Sequence, residues 1–211
     1  LVASGAGLEI ACAGSPAIGT ECGQGAIYAG THTVASVTYK YMMTPGGCDA
    51  TTTDNPACLL VNNTRSWTAT APTAGNFYAI NPDDGLANTT NIVANDVGGS
   101  AIGTSITTPK GVAARFCDQL KFGGYEDWYL PAQNELGFLY GNRVALGTGL
   151  SSAGFLWSST QDSTTATQSK NWDFSNTGTS ATNNTATAGR NIRCVRRYLD
   201  RKSTRLNSSH C

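Results

Sequence analysis

The chain has 211 residues, 40% hydrophobic and 13% charged, with 14 Lys and Arg balanced by 14 Asp and Glu. A charged fraction about half the usual ~25%, without net charge, excludes a nucleic-acid binder built on a basic field, an acidic disordered tail and an apolar membrane span. The length fits one domain with a real core, alone or with a short N-terminal extension.

The two ends are read first, because processing scars must be kept out of fold reasoning. Leu1 opens the chain without Met, a basic n-region or a long apolar run, which reads as a mature product or a fragment. Residues 200–211, beginning Asp200-Arg201-Lys202-Ser203-Thr204-Arg205, resemble one reading frame of a short-read sequencing adapter and are expected to be an artefact tail. A native basic tail is the competing reading. Without the tail, what remains is slightly acidic.

The same cut removes Cys211 and leaves Cys12, Cys22, Cys48, Cys58, Cys117 and Cys194. An even set of cysteines in a Lys-poor chain points to an oxidising compartment: extracellular, cell-surface or periplasmic, or a phage virion. No C-x-x-C pair occurs and the rest of the chain holds one histidine, His32, so a structural zinc site lacks ligands and spacing. Disulfides are the better account. Fifteen pairings of six cysteines are possible; the short separations favour Cys12–Cys22 and Cys48–Cys58 as loop staples, leaving Cys117 and Cys194 to tie distant segments. Six reduced thiols are the alternative.

Residues 1–21 are rich in small residues and read as a lead-in stapled by a disulfide, with residues 22–199 as the domain proper. The runs Ala26–Gly30 and Val37–Met42 carry β-branched and aromatic residues between turn formers and predict a hairpin or paired strands. From Cys48 to Thr108 the chain reads as a long irregular stretch with short apolar islands. A helix is predicted after Thr108-Pro109, with Val112, Phe116, Cys117 and Leu120 on one face and Gly123-Gly124 as its stop. A second opens at Pro131, with Leu136, Leu139 and Tyr140 on its apolar stripe and Gly141-Asn142 at its end. Phe155–Thr160, Lys170–Phe174 and Ile192–Tyr198 predict three strands separated by polar turns. In the last, Ile192 and Cys194 share one face while Arg193, Val195 and Arg197 share the other, so a buried arginine must meet a carboxylate or water.

The motifs Gly124-Tyr125-Glu126-Asp127-Trp128-Tyr129-Leu130-Pro131, Asn134-Glu135-Leu136, Trp157-Ser158-Ser159-Thr160 and Arg193-Cys194-Val195-Arg196 occur in that order. Together with Gly25–Gly30 and Asp84-Gly85-Leu86-Ala87-Asn88-Thr89, they resemble the Lcl C-terminal domain family over residues 22–198. That family stands at the end of a collagen-like bacterial adhesin and in many secreted and phage proteins. The resemblance implies an α+β, C-type-lectin-like fold: small antiparallel sheets, two flanking helices and long irregular loops. It also implies a bond between a helix cysteine and one in the last strand, for which Cys117 and Cys194 are placed. A structural reading covers the same residues: Trp128 and Trp157 as core fillers, Leu130-Pro131 as a strand-to-helix turn, and Glu135 neutralising a buried Arg193.

Enzymatic chemistry finds little support, and no catalytic residue is assigned. His32 lies in a turn between strands with no nucleophile elbow at any serine. Two carboxylates for glycoside hydrolysis could come from Asp83, Asp84, Glu126, Asp127 and Glu135, but their separation is not legible. The formylglycine-generating oxidases of the lectin-like fold need reactive cysteines, which here are committed to a bridge. Calcium is the one cofactor kept open, because Asn81, Asp83 and Asp84 collect oxygen ligands beside Gly85, although ordinary turns use the same residues. Asn62-Asn63-Thr64 has the form of a glycosylation acceptor and receives no role.

Binding is the stronger class. Between Ser158 and Arg190, the residues Gln161, Asp162, Lys170, Asn171, Trp172, Asp173, Asn176, Asn183, Asn184 and Arg190 mix short polar groups with one aromatic anchor. Recognition surfaces use that mixture, and so do plain solvated turns. The expectation is a non-enzymatic adhesin or tail-fibre tip that binds a glycan or a host-surface protein, with avidity from display in several copies, such as a homotrimer. A structural module capping a stalk is the alternative, and a hydrolase stands last. Nucleic acid and membrane insertion are not expected.

Overall fold

The computed structural model describes residues 12, 14, 16–22, 25–45, 66–68, 72–73, 75–95, 112–147, 150, 154–175, 182–185 and 189–199, with the backbone alone for 182–185. The expected hairpin is present as β1 (Ile27–Val34) and β2 (Val37–Met43), in register from Ile27↔Met43 to Val34↔Val37. Its two-residue turn places Ala35 and Ser36 at φ 47° and 68°. Positive φ at both positions matches the right-handed twist of the flanking strands, so strand geometry overrides the local preference for Asn-Gly. The register shifts between Tyr28 and Gly30. Gly30 stands at φ 105°, where a Cβ would lie 3.1 Å from Ile18 and 3.3 Å from Phe138.

Residues 19–22 run back along β1. Gly19 N–H donates to the Tyr28 carbonyl (2.8 Å), Tyr28 N–H to Thr20 (2.8 Å) and Cys22 N–H to Ala26 (2.7 Å). The Cys12–Cys22 disulfide closes this strap. On the other side of β2 lies β6 (Val195–Tyr198), antiparallel, with Met43↔Val195 and Lys40↔Tyr198 as partners, giving the order β1-β2-β6. Val195 also exchanges two backbone hydrogen bonds with Tyr129.

The second sheet has the order β3-β4-β5, all antiparallel: β3 (Phe155–Gln161), β4 (Gln168–Asp173) and β5 (Thr182–Thr185). The segment holding β5 was expected as polar turns. Its TNNT sequence carries no apolar alternation, and pairing with β4 makes it a strand.

The helices are α1 (Gly85–Asn95), α2 (Ala113–Asp118), α3 (Gln133–Gly141) and α4 (Arg143–Leu146). Val112, Phe116, Cys117 and Leu120 are buried as their spacing predicts, as are Leu136 and Leu139 of α3. Thr108-Pro109 lies outside the described residues. Helix α1 corrects the expectation of an irregular stretch from Cys48 to Thr108. It begins with glycine and is rich in Asn and Thr, all weak helix formers, so propensity hides it. Asp84 caps it by accepting from Ala87 N–H (3.0 Å), and Asn88, Thr89 and Ile92 are buried.

Alternation along the strands feeds two cores, one on each face of the first sheet. Tyr28, Met42, Trp128, Trp157 and Cys194 belong to one, with Ile92, Phe116 and Cys117 from the helices. Their sequence neighbours Ile27, Tyr41, Tyr129, Leu156 and Val195 belong to the other, with Leu136 and Leu139 of α3. Burial on both faces explains the unbroken apolar runs AIYA and YMM. Cys117 and Cys194 are bonded, with Cα atoms 5.4 Å apart and a sequence separation of 77. Cys48 and Cys58 lie outside the described residues. The architecture is a mixed α+β one with small antiparallel sheets and few helices.

Candidate functional site

The motifs quoted above converge on one junction. Glu135, in the first turn of α3, is fully buried, and its two oxygens receive four hydrogen bonds. The hydroxyls of Tyr41 (2.6 Å) and Tyr129 (2.9 Å) donate to Oε1; the backbone N–H groups of Ala132 (2.7 Å) and Gly85 (3.2 Å) donate to Oε2. Burial pushes the carboxyl above its ordinary range, while these donors and Arg197 pull the other way. Four donors around two oxygens make a seat for the carboxylate. Burial beside that charge raises both tyrosine hydroxyls as well.

The guanidinium facing Glu135 is Arg197, with Nη1 3.7 Å from Oε1, and not the Arg193 expected from sequence. Arg197 also reaches both oxygens of Asp84, at 3.0 and 3.1 Å. Burial works against its charge, but Asp84 prevails and the arginine is held protonated. Arg193 is buried elsewhere, donating Nη1 to the Ile192 carbonyl, and burial lowers its pKa to about 10.

Around this pair the calcium candidates are spent on the fold. Asn81 Oδ1 accepts from the N–H groups of Asp83 (2.9 Å) and Asp84 (3.1 Å), an Asx turn leading into α1. Asp83 Oδ1 accepts from Asn134 Nδ2 (2.6 Å), and Pro82 C=O from Asn134 N–H (2.9 Å). Thr160 links the two sides, donating to the Asn81 carbonyl (3.0 Å) and accepting from Gln133 N–H (3.0 Å). Among the described residues no group of three or more His, Cys, Asp or Glu side chains gathers as a metal site would need. Glu126 pairs with Lys121 at the surface, and Asp127 with Arg196 at 2.7 and 3.0 Å, the latter guanidinium lying 3.7 Å above Tyr125.

The binding residues predicted from sequence divide into internal and displayed groups. Gln161 is buried: Oε1 accepts from Tyr78 and Ala79 N–H, and Nε2 donates to the Asn76 and Ala166 carbonyls. Asp162 is buried too. Burial alone would raise its carboxyl, but Lys170 at 2.6 Å and donors from Thr164 and Thr165 hold it well below the carboxylate range. Asn171 is 1% exposed. These three side chains shape the β3–β4 hairpin from inside.

Lys170, Trp172, Asp173 and Arg190 reach the surface in part. Trp172 lies on α3 at Gly137, where a Cβ would stand 2.9 Å from the indole, and its ring is 6.1 Å from that of Tyr140. Asp173 accepts from Ser175, which lowers its pKa, and Arg190 lies 5.4 Å above Phe155. Asn183 pairs with Lys170 and Asn184 with Ser169 in β5. Asn176 is outside the described residues.

Sequence reasoning missed Tyr140 and Arg143, whose guanidinium sits 3.9 Å above the tyrosine ring. It also missed Gly137, although a glycine in mid-helix is a signal of close approach. Comparison with models of known protein families and with curated proteins finds no match for this chain. No described helix is long and apolar enough to cross a membrane.

Proposed function

We propose that the chain is a non-enzymatic recognition domain of C-type-lectin-like architecture, related to the Lcl C-terminal domains and displayed outside the cell or on a virion. Its ligand is a glycan or a host-surface protein, met where β4 adjoins α3. One observation carries this reading: the half-buried indole of Trp172 rests on a fixed seat at Gly137, beside Tyr140 and its stacked Arg143. A rigid aromatic loses little entropy on binding, and its neighbours Lys170 and Asp173 supply hydrogen-bonding groups. The carboxylates that acid–base chemistry would need are engaged in ion pairs or hydrogen bonds that hold the fold. The two disulfides among the described residues fit an oxidising environment.

The test is binding of the chain to a glycan array and to cells, repeated with Trp172→Ala and Asn183→Ala. The proposal expects at least a tenfold loss for Trp172→Ala with the variant still folded, at a lower unfolding temperature because the indole packs on α3; undiminished binding in both variants removes this surface from the account. If the domain is instead an assembly module, size measurement finds a stable oligomer whose formation protects Trp172 from fluorescence quenching.

A further inference from the structure

His32 lies within β1, two residues before its end and not in a turn as read from sequence, opposite Tyr39 on β2. Its imidazole is stacked on Phe138 of α3, with ring centroids 5.0 Å apart and nearly parallel, and meets Tyr41 edge-on at 5.8 Å. Phe138 in turn contacts Tyr41 at 5.7 Å. This aromatic trio joins the hairpin to α3 at a point where Gly30 already brings β1 within touching distance of the same phenylalanine. Within it, His32 Nε2 is shielded from solvent and has no hydrogen-bond partner. A neutral imidazole tolerates that place, because an unprotonated ring nitrogen leaves only a weak acceptor unmet. An imidazolium does not, because it would put a second N–H and a charge at Nε2, which is shielded from solvent and meets no acceptor.

We propose that His32 is an acid-sensitive latch: its neutral ring holds the β1–β2 hairpin against α3, and protonation loosens that contact. The surrounding charges do not rescue the protonated form. On β2, Tyr39 and Tyr41 are neutral and Lys40 is a like charge. On β6, Arg197 lies 4.8 Å above the Tyr39 ring, another like charge. On α3, Glu135 is already enclosed by its own donors, and on the strap Glu21 is exposed and accepts from Gly25. Before α1, Asp84 is taken by Arg197, which leaves Asp83 as the favourable carboxylate among the described residues. Burial outweighs Asp83, and the histidine pKa lies below its ordinary 6.5. The unfolded chain therefore takes up the proton at higher pH than the folded one. The stabilisation from His32 is complete above the ordinary histidine range and is lost as pH falls through it toward the lower folded value. Glu135, whose carboxyl is raised, has the opposite sign: acidification relieves it, so it does not mimic the latch.

The experiment follows hydrogen-exchange protection factors of the Thr31–Tyr39 amides in the full chain at pH 7.5 and 5.5, beside NMR titration of the imidazoles of His32 and His210. The latch predicts that hairpin protection falls several-fold at the lower pH in the wild type. His32→Phe, which keeps the stack and cannot titrate, holds protection constant, and His32→Gln serves if the phenylalanine does not fit. The His32 midpoint lies below the ordinary 6.5. An equal fall in both variants, no fall in the wild type, or a His32 midpoint at or above 6.5 overturns the proposal.

Discussion

Two oxygens of Glu135 hold together the hairpin, the start of α1, the strand-to-helix turn at Leu130-Pro131 and β6, by way of Tyr41, Gly85, Ala132 and Arg197. Glu135→Gln removes the charge that faces Arg197 and aims an amide donor at groups that already donate. It should cost about 3 kcal/mol, read as a fall in denaturant midpoint with unchanged slope. Gly85→Ala should be at least as harmful, because its Cβ would stand 2.4 Å from Glu135 Oε2 and 2.5 Å from a backbone nitrogen. Asp162 has the opposite titration sense to Glu135. Its folded pKa is depressed, so its contribution is present above the unfolded value near 3.8 and lost as pH falls below it. Asp162→Asn should lower stability at pH 7 and flatten the acid limb of the stability curve. Sequence showed Glu135 as a helix-start carboxylate needing an arginine. It named Arg193 where the structure has Arg197, which shares that face by alternation, because the choice depends on how far β6 slides along β2.

At the scale of elements, legibility followed local chemistry. The hairpin, α2, α3 and three of the strands carry their own apolar period and turn residues, and all were readable. Helix α1 and strand β5 were not, because neither has a period or a strong propensity. Asn81 and Asp84 organise the first, and pairing to β4 the second. The Cys117–Cys194 link joins α2 to the segment entering β6 across 77 residues, against 10 for Cys12–Cys22. On the chain-entropy view the longer loop contributes about 4 kcal/mol and the shorter about 3. Replacing each pair by alanine should therefore lower stability more for Cys117/Cys194 in equilibrium unfolding; the reverse order would show that the strap, not the long link, secures the fold. Gly137→Ala should push the indole off α3, seen as a red shift and stronger quenching of tryptophan fluorescence.

For the whole molecule, the sheet β1-β2-β6 separates two cores, and the ordered motifs clasp one another where α1, α3 and β3 meet. The sequence displayed those motifs as a set without showing that they are mutual partners, since contacts between residues 50 to 113 apart close the junction. Their polar groups are consumed in that closure, as Gln161 and Asp162 are in the second sheet, while the aromatic ground around Trp172 stays partly exposed. Three of the ten residues expected to bind, Gln161, Asp162 and Asn171, thus turned out to be internal, because burial in and beside this sheet does not follow polarity. The claim that this ground recognises a ligand is tested most directly by a binding isotherm on target cells for Trp172→Ala against the wild type, with both shown folded by near-ultraviolet circular dichroism. The account predicts at least a tenfold loss of affinity, and equal affinity for the two proteins would contradict it.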